Sequence, residues 1–571
     1  MYLKKLLNKK SGRVYLSICH NSYDKDTKKV RAKTIRPLGY LDALEKEYPD
    51  PISYFTQVAA QMHEEYKAGK AELIFRFTQG ETLDSHEQSR KNLGYAVLSQ
   101  LYAELGLNLF LSNKQRYLHV DYKLNTLFRL LVFSRILAPA SKKKTYENRE
   151  MFFEKTDYSL DSVYRSLSDF SRMSQDIQLL LHRKAQELYG RQTDVVYYDV
   201  TNYYFEIDEP DEQRKKGVCK EHRPNPIVQM GLLMDKQGLP ITYKLFSGNT
   251  NDCQTLMPIL AEVRKDYGIG RFIVVADKGL NTSNNTCMAR IKGDGYIFSQ
   301  SVLKATRELR EYVLDEQDYV WQGDQFKIKS RLTLRTVRLE NEQGKIVETF
   351  LEEKQIIFYS EKYARRSRKK REEALCKARE LIAHPSKYSQ RQAPGAAKYV
   401  QNLRYDNQTG EIILKQGQLL SLDEDKIARE EELDGYYAIV SSELDKPDGE
   451  IIDLYRGLWK IEESFKVTKS DLEARPVYVS RKDHIEAHFL TCFVALFLLR
   501  LLEKRTNNQY STQALIETMQ RITGTYLQDN YYLLDHRSEV TDALGKTFGI
   551  DFSKRFMQLK EIQSYTAMRS K

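Results

Sequence analysis

A chain of 571 residues exceeds what one hydrophobic core usually organises, and roughly 150 residues per domain gives three or four structural units. With 41% hydrophobic and 30% charged residues it has the composition of neither a disordered tail nor a membrane protein, and its net charge of +11 favours polyanionic partners. The six cysteines, Cys19, Cys219, Cys253, Cys287, Cys376 and Cys492, are too dispersed for a zinc site or a small disulfide scaffold, which fits reduced thiols in a cytosol.

The first forty residues carry eleven Lys or Arg, among them Lys4, Lys5, Lys9 and Lys10, against only Asp24 and Asp26. Alternation at Val14, Leu16 and Ile18, with a polar turn over 21–28, predicts a basic β-hairpin within residues 2–35, followed by a helix over 51–70. Helical periodicity over 93–105, 124–137, 162–170 and 176–189, the last closed by Gly190, makes 86–190 a helical region.

Character changes at Thr193, where the apolar run Val195, Val196, Tyr197 predicts a buried strand ending at Asp199. Strands over 227–234 and 241–246 flank the turn Asp235 to Gly238, in which glycine supplies a positive φ. A helix over 254–267 stops at Gly268, and the run 272–276 is a fourth strand delivering Asp277. Three strands, a helix and a strand is the order of a ribonuclease H-like core, an α/β fold with a mixed sheet flanked by helices.

Residues 295–454 are strand-rich and charged, with strands over 325–339 and 354–359 and a basic helix over 365–382 holding Arg365, Arg366, Arg368, Lys369, Lys370 and Arg371. This interval is expected to interrupt the core rather than extend it. Amphipathic helix resumes at Asp453 and again over 484–504, where the apolar run 489–502 is shorter than the ~20 residues a bilayer requires, so no membrane insertion is expected. Helices over 511–527 and 539–548 complete a helical C-terminal region, 506–571. Five segments result: 1–85, 86–190, a core made of 191–300 with 450–505, a β-rich insertion over 301–449, and 506–571.

Asp199 and Asp277 fall at the ends of buried strands, where α/β sheets expose chemistry, and two such carboxylates suit a hard divalent cation. As a pair alone they read equally as turn formers or helix caps. The helix from Asp453 adds a third acid: at 3.6 residues per turn Tyr455, Trp459, Glu462, Lys466 and Lys469 share one narrow stripe, Leu458, Ile461 and Phe465 share another, and Glu463 lies off the first. Cys219 with His222, and His484 with His488, lack the further partners zinc requires; the first pair reads as a surface loop and the second as buried, hydrogen-bonded histidines.

Residues 455–469 resemble the signature of bacterial insertion-sequence transposases of the DDE class: Tyr, two residues, Arg, three residues, Glu, six residues, Lys. Tyr455, Glu462 and Lys469 match, whereas Leu458 stands at the arginine position, with Arg456 close by. Asp199 to Asn202, Gly238 to Pro240, Gly248 with Asn249, Ala276 to Gly279 and Ala474 to Val477 resemble the same family, as does, more weakly, 134–143. The family carries a β-rich insertion between its second Asp and its Glu, and here 185 residues (462 − 277) separate them, against 78 (277 − 199) between the aspartates.

The resemblance implies a transposase that hydrolyses phosphodiesters at element ends and joins the freed 3′-hydroxyl to target DNA. It implies Asp199, Asp277 and Glu462 as catalytic ligands of two Mg²⁺ ions, for which Mn²⁺ substitutes, and Tyr455, Arg456, Trp459, Lys466, Lys469, Lys278, Asn249 and Trp321 as DNA-contacting residues. Trp459 and Trp321 are the candidates to stack an unpaired base if a hairpin forms at the element end. Segments 1–85 and 86–190 would bind DNA, the partners would be terminal inverted repeats and target DNA, and synapsis of two ends implies a homodimer in the bacterial cytoplasm, at the nucleoid. A domesticated, inactive transposase that only binds DNA is the alternative, and a nuclease of the same fold a third reading.

Overall fold

The computed structural model describes the chain except residues 10, 25–28, 68–72, 76, 81, 83–88, 220–222, 341–344, 386–394, 404–411, 413–418 and 567–571. It divides into two compact units, Met1–Glu87 and Gln88–Lys571.

In the first unit β1 (Tyr2–Leu7), β2 (Val14–Asp24) and β3 (Lys29–Tyr40) form an antiparallel sheet in the order β1-β2-β3. The sequence predicts two strands here; the third arises because residues 2–7 pair along the free edge of β2, and residues 25–28 of the expected turn lie outside the described residues. A one-turn helix α1 (Leu41–Leu44) leads to α2 (Pro51–Lys67). Leu16, Ile18 and Cys19 of β2 and Phe55 and Ala59 of α2 are buried, as the alternation of the strand and the period of the helix require.

The second unit opens with β4 (Arg90–Asn92) and the helices α3 (Tyr95–Glu104), α4 (Leu107–Gln115), α5 (Leu124–Leu137), α6 (Lys142–Glu147), α7 (Leu160–Arg172) and α8 (Ser174–Tyr189), which Gly190 ends at φ 59°. The core strands follow: β5 (Val195–Tyr204), β6 (Ile227–Asp235), β7 (Pro240–Ser247), then α9 (Leu256–Asp266), β8 (Ile273–Ala276), α10 (Ser283–Ile291) and β9 (Gly295–Gln300). From the interval 301–449 come α11 (Arg307–Leu314), β10 (Val320–Trp321), β11 (Phe326–Glu340), β12 (Ile346–Ser360), α12 (Glu361–Ala383), the short pair β13 (Val400–Gln401) and β14 (Ser421–Leu422), α13 (Glu424–Glu432) and β15 (Tyr436–Ser441). Helices α14 (Asp448–Arg456), α15 (Trp459–Ser470), α16 (Lys482–Arg505) and α17 (Thr512–Arg521) precede β16 (Thr523–Tyr526), β17 (Tyr531–Leu534), α18 (Glu539–Phe548), β18 (Phe556–Gln558) and α19 (Leu559–Thr566).

One mixed sheet of nine strands, β10-β11-β12-β15-β9-β8-β5-β6-β7, organises this unit. β8 lies parallel to both β5 and β9, while β6 and β7 continue antiparallel from β5. Contrary to the sequence expectation, the insertion extends this sheet: β15 pairs antiparallel with β9, and β12 and β11 follow outward. The C-terminal region also differs from the all-helical expectation. Helix α17 ends at Arg521 because residues 523–534 form a hairpin, turning on Asp529 (φ 55°) and Asn530 (φ 62°), and β4 joins its free edge.

Helix α16 is 24 residues long and apolar enough to cross a membrane, but 94% of its apolar window is buried within the protein, where α3, α5 and α7 surround it. His488 on this helix is buried and donates from Nε2 to the Ala474 carbonyl at 3.0 Å, as the sequence predicts; His484 is buried too, but its Nε2 has no hydrogen-bond partner among the described residues, and His222 lies outside them.

At the entry to the sheet His182 of α8 is 3% exposed and accepts from Arg191 Nη1 at 3.0 Å. Burial, then the Arg191 charge, pushes its pKa down to about 4. Below pH ~6.5 the unfolded chain protonates this imidazole and the folded chain does not, so stability falls as pH drops from about 6.5 towards 4, by up to about 3 kcal/mol. Substituting His182→Gln is expected to flatten this part of the pH profile of thermal unfolding relative to the wild type; parallel profiles would refute the assignment.

Candidate active site

The ladder between β5 and β8 pairs Val195 with Ile273, Val196 with Val274 and Tyr197 with Val275, a constant offset of 78. The aspartates are separated by the same 78 residues (277 − 199), so the offset of this ladder, carried two residues past its last pair, aligns Asp199 with Asp277. Alternation puts Asp199 on the face of β5 that carries Tyr197 and Tyr203, and Asp277, just past β8, on the side of Val275; the two tyrosines and Val275 belong to one core cluster on the same side of the sheet.

The sequence places Asp199 at a strand end, but β5 runs on to Tyr204 in register with β6, and only the ladder with β8 stops after Tyr197. The acid therefore lies at a step in the sheet. Asp277 directly follows β8, as predicted, and is exposed, whereas Asp199 is half-buried. Ser299, on the same face of β9, donates to Asp277 Oδ1 at 2.7 Å, and the Val200 N–H donates to Asp199 Oδ1 at 2.7 Å.

The third acid arrives on α15. The sequence predicts one helix from Asp453; the structure breaks it between α14 and α15 at Gly457 and Leu458, where bonds such as Leu458 N–H to the Tyr455 carbonyl (3.0 Å) close over three residues. The glycine at this point answers to β5, since a Cβ at Gly457 would stand 1.9 Å from Tyr197 Oη. Replacing Gly457 by Ala is expected to cost about 1–3 kcal/mol through this overlap, which chemical denaturation would read; unchanged stability would remove the proposed reason for the glycine.

Beyond the break Ile461 and Phe465 are buried against the sheet, and Thr468 Oγ1 shares a 2.8 Å hydrogen bond with Tyr203 Oη. Lys469 Nζ stands 5.5 Å from the centre of the Tyr203 ring, while Trp459, Glu462 and Lys466 are exposed. Tyr455, on α14, is half-buried. Its phenol pKa is pushed up, first by burial and further by the charges of Asp277 and Glu462, against a hydrogen bond with Ser299. Tyr437 of β15 is pushed up by burial and by the same two acids. Glu462 and Asp277 thus both lie within electrostatic reach of the same two rings. Among the described residues, however, no three Asp, Glu, His or Cys side chains lie close enough to hold a metal ion.

The remaining predicted residues divide. Lys278 is exposed immediately beside Asp277. Arg456 lies 3.4 Å from Asp453 and stacks 5.3 Å from the Phe326 ring, while Leu458, at the arginine position of the signature, is buried. Asn249 is exposed beyond β7 and accepts from Ser247 Oγ at 2.9 Å. Trp321, half exposed on the outermost strand β10, is five strands from β8, roughly 24 Å across the sheet. Ser299 and Tyr437 escape the sequence reading because a lone serine or tyrosine in a strand carries no signal until its neighbours across the sheet are known.

Residues 199–498, more than half of the chain, match the family model for the transposase DDE domain, and residues 3–72 match that for the IS1634 family transposase N-terminal domain. No curated protein matches. Among solved structures, one described as a cryo-EM structure of the piggyBac transposase synaptic complex with hairpin DNA is similar at 6% identity, over 84% of this chain and 85% of that one, with a TM-score of 0.37. By its family matches the chain belongs to the DDE transposases, and it is a DNA transposase of the insertion-sequence type.

Proposed function

We propose that the chain performs metal-dependent cut-and-paste transposition: hydrolysis of phosphodiesters at the element ends, then attack of each freed 3′-hydroxyl on target DNA. The observation that supports this reading is the constant offset of the β5–β8 ladder, which carried forward aligns Asp199 with Asp277, together with the reach of both Asp277 and Glu462 to the Tyr455 ring. The strand order β9-β8-β5-β6-β7, with β5 to β7 antiparallel and β8 and β9 parallel to β5, supports a ribonuclease H-like core built from 191–300 and 450–505.

The donor set, three carboxylates, fits hard divalent cations such as Mg²⁺ or Mn²⁺. Asp199 and Asp277 form its fixed part; Glu462, on the exposed side of α15, completes it by swinging its flexible side chain toward them. When bound, two such ions supply a lowered pKa for the attacking water or hydroxyl and stabilise the leaving oxygen. Around them Lys466, Lys469, Lys278 and Arg456 hold DNA phosphates as point charges or forks, and Tyr455 hydrogen-bonds a phosphate oxygen. Trp459 and Trp321 are the rings available to stack a base displaced during hairpin formation. Segments 1–85 and 86–190 recognise the terminal inverted repeats, 301–449 is the inserted domain and 506–571 closes the chain. A homodimer pairs the two ends in the cytoplasm, at the nucleoid.

One observation favours a second reading, a protein that binds DNA without cutting it: the three carboxylates do not converge. Incubating the protein with Mg²⁺ and DNA bearing the flanking inverted repeats decides between them. Cleavage and joining support transposition, cleavage alone a nuclease, and binding alone the second reading.

A further inference from the structure

Arg135 of α5 and Lys142 of α6 are 5% and 4% exposed. Among the described residues the charge that acts on the Lys142 ammonium is that of Arg135, beside the Cys492 sulfur, and no carboxylate acts on it. Arg135 spends its guanidinium on main-chain oxygens: Nη1 donates to Leu472 and Glu473 at 3.3 Å each, Nη2 to Ala140 at 2.9 Å, and its buried Nε has no partner. The neighbouring His488 is committed to the Ala474 carbonyl. Two basic groups are thus buried in one cleft with no carboxylate acting on Lys142 among the described residues, and keeping both protonated there costs several kcal/mol unless an anion is supplied.

Both line a small cleft with Ser141, Pro476, Tyr478 and His488, and Tyr478 at its rim is 67% exposed. The cleft offers about 10 Å³ to a water-sized centre, room for one oxygen atom and not for a whole free phosphate. Its position is equally informative. The loop it abuts, starting at Leu472, directly follows α15, whose last turn holds Lys469. Eight residues of helical rise separate Glu462 from Ser470 at the end of α15, about 12 Å, or less than half a turn of duplex.

We propose that Arg135 and Lys142 form a binding site for one phosphodiester oxygen of the DNA backbone, anchoring the strand beside the loop that follows α15, the helix that carries Glu462. The assignment to DNA rests on the transposase reading; the anion site itself does not. Burial, and then Arg135, push the Lys142 pKa down to about 7, so the phosphate both neutralises the pair and holds the lysine protonated.

The test compares wild type, Lys142→Met and Lys142→Arg in binding to a random-sequence duplex across a salt series, with thermal unfolding in inorganic phosphate or chloride at equal ionic strength. The expected result is a salt slope lower by about one in Lys142→Met, with affinity reduced several-fold near 100 mM salt, restoration by Lys142→Arg, and no loss of thermal stability in Lys142→Met. An unchanged slope overturns the proposal. If free phosphate stabilises the wild type but not Lys142→Met while the slopes agree, the pocket serves a soluble anion and the DNA assignment is overturned. Magnesium-dependent nicking of element-end DNA by the wild type reports on the transposase reading separately, since its absence leaves the slope comparison intact.

Discussion

Asp277→Asn is expected to abolish DNA cleavage while leaving the fold and DNA binding in place. The amide keeps the size of the carboxylate and still accepts from Ser299, and the side chain is exposed, so neither packing nor β8 is disturbed. What disappears is one negative ligand, and since metal-assisted charge stabilisation supplies several kcal/mol at the transition state, the rate should fall on the order of a thousandfold or more. Nicking of element-end DNA in Mg²⁺, read beside binding by anisotropy, measures both. Wild-type cleavage by Asp277→Asn would remove the residue from the site, and loss of binding would assign it to DNA recognition instead.

The largest effect on stability is expected from Arg191→Met. The Arg191 and Asp235 side chains have no exposed area and meet at 2.9 Å, and Arg191 Nη2 also donates to the Pro240 carbonyl at 2.7 Å. Asp235 in turn accepts from the N–H groups of Gln237 and Leu239 at 2.9 Å each, holding the turn between β6 and β7. Removing the arginine alone leaves a carboxylate buried without its cation, a loss of about 3–5 kcal/mol. Adding Asp235→Asn should recover part of it, because the amide oxygen can still serve the turn. Chemical denaturation of both variants tests this, and a loss below about 1 kcal/mol, within the range of an exposed ion pair, would show that the pair is not sealed from solvent.

Much of the strand pair that carries Asp199 and Asp277 is legible in the sequence, because Val195 to Tyr198 and Ile273 to Ala276 are runs of strand length that stop at an acid. What continues β5 past Asp199 is its pairing with β6, a tertiary constraint that the poor strand propensity of aspartate conceals. The stripe on α15 is legible for Glu462, Lys466 and Lys469, since helical period alone sets it. The break at Gly457 is not: a glycine inside an amphipathic pattern is locally tolerable, and the reason for it, the Tyr197 hydroxyl, comes from β5. The insertion escapes for a related reason. Its strands are visible as alternating runs, but which sheet they join depends on β15 meeting β9, and no local pattern records that partner.

That pairing also bears on how such chains diversify. The polypeptide leaves the catalytic core after Gln300 and returns at Ala438, and those two residues face each other across one antiparallel ladder. Everything between them is in effect a single very long hairpin loop whose two ends are already adjacent. Segments of different length or content can be exchanged there without shifting the strands that bear Asp199 and Asp277, so new modules can be grafted onto an unchanged core.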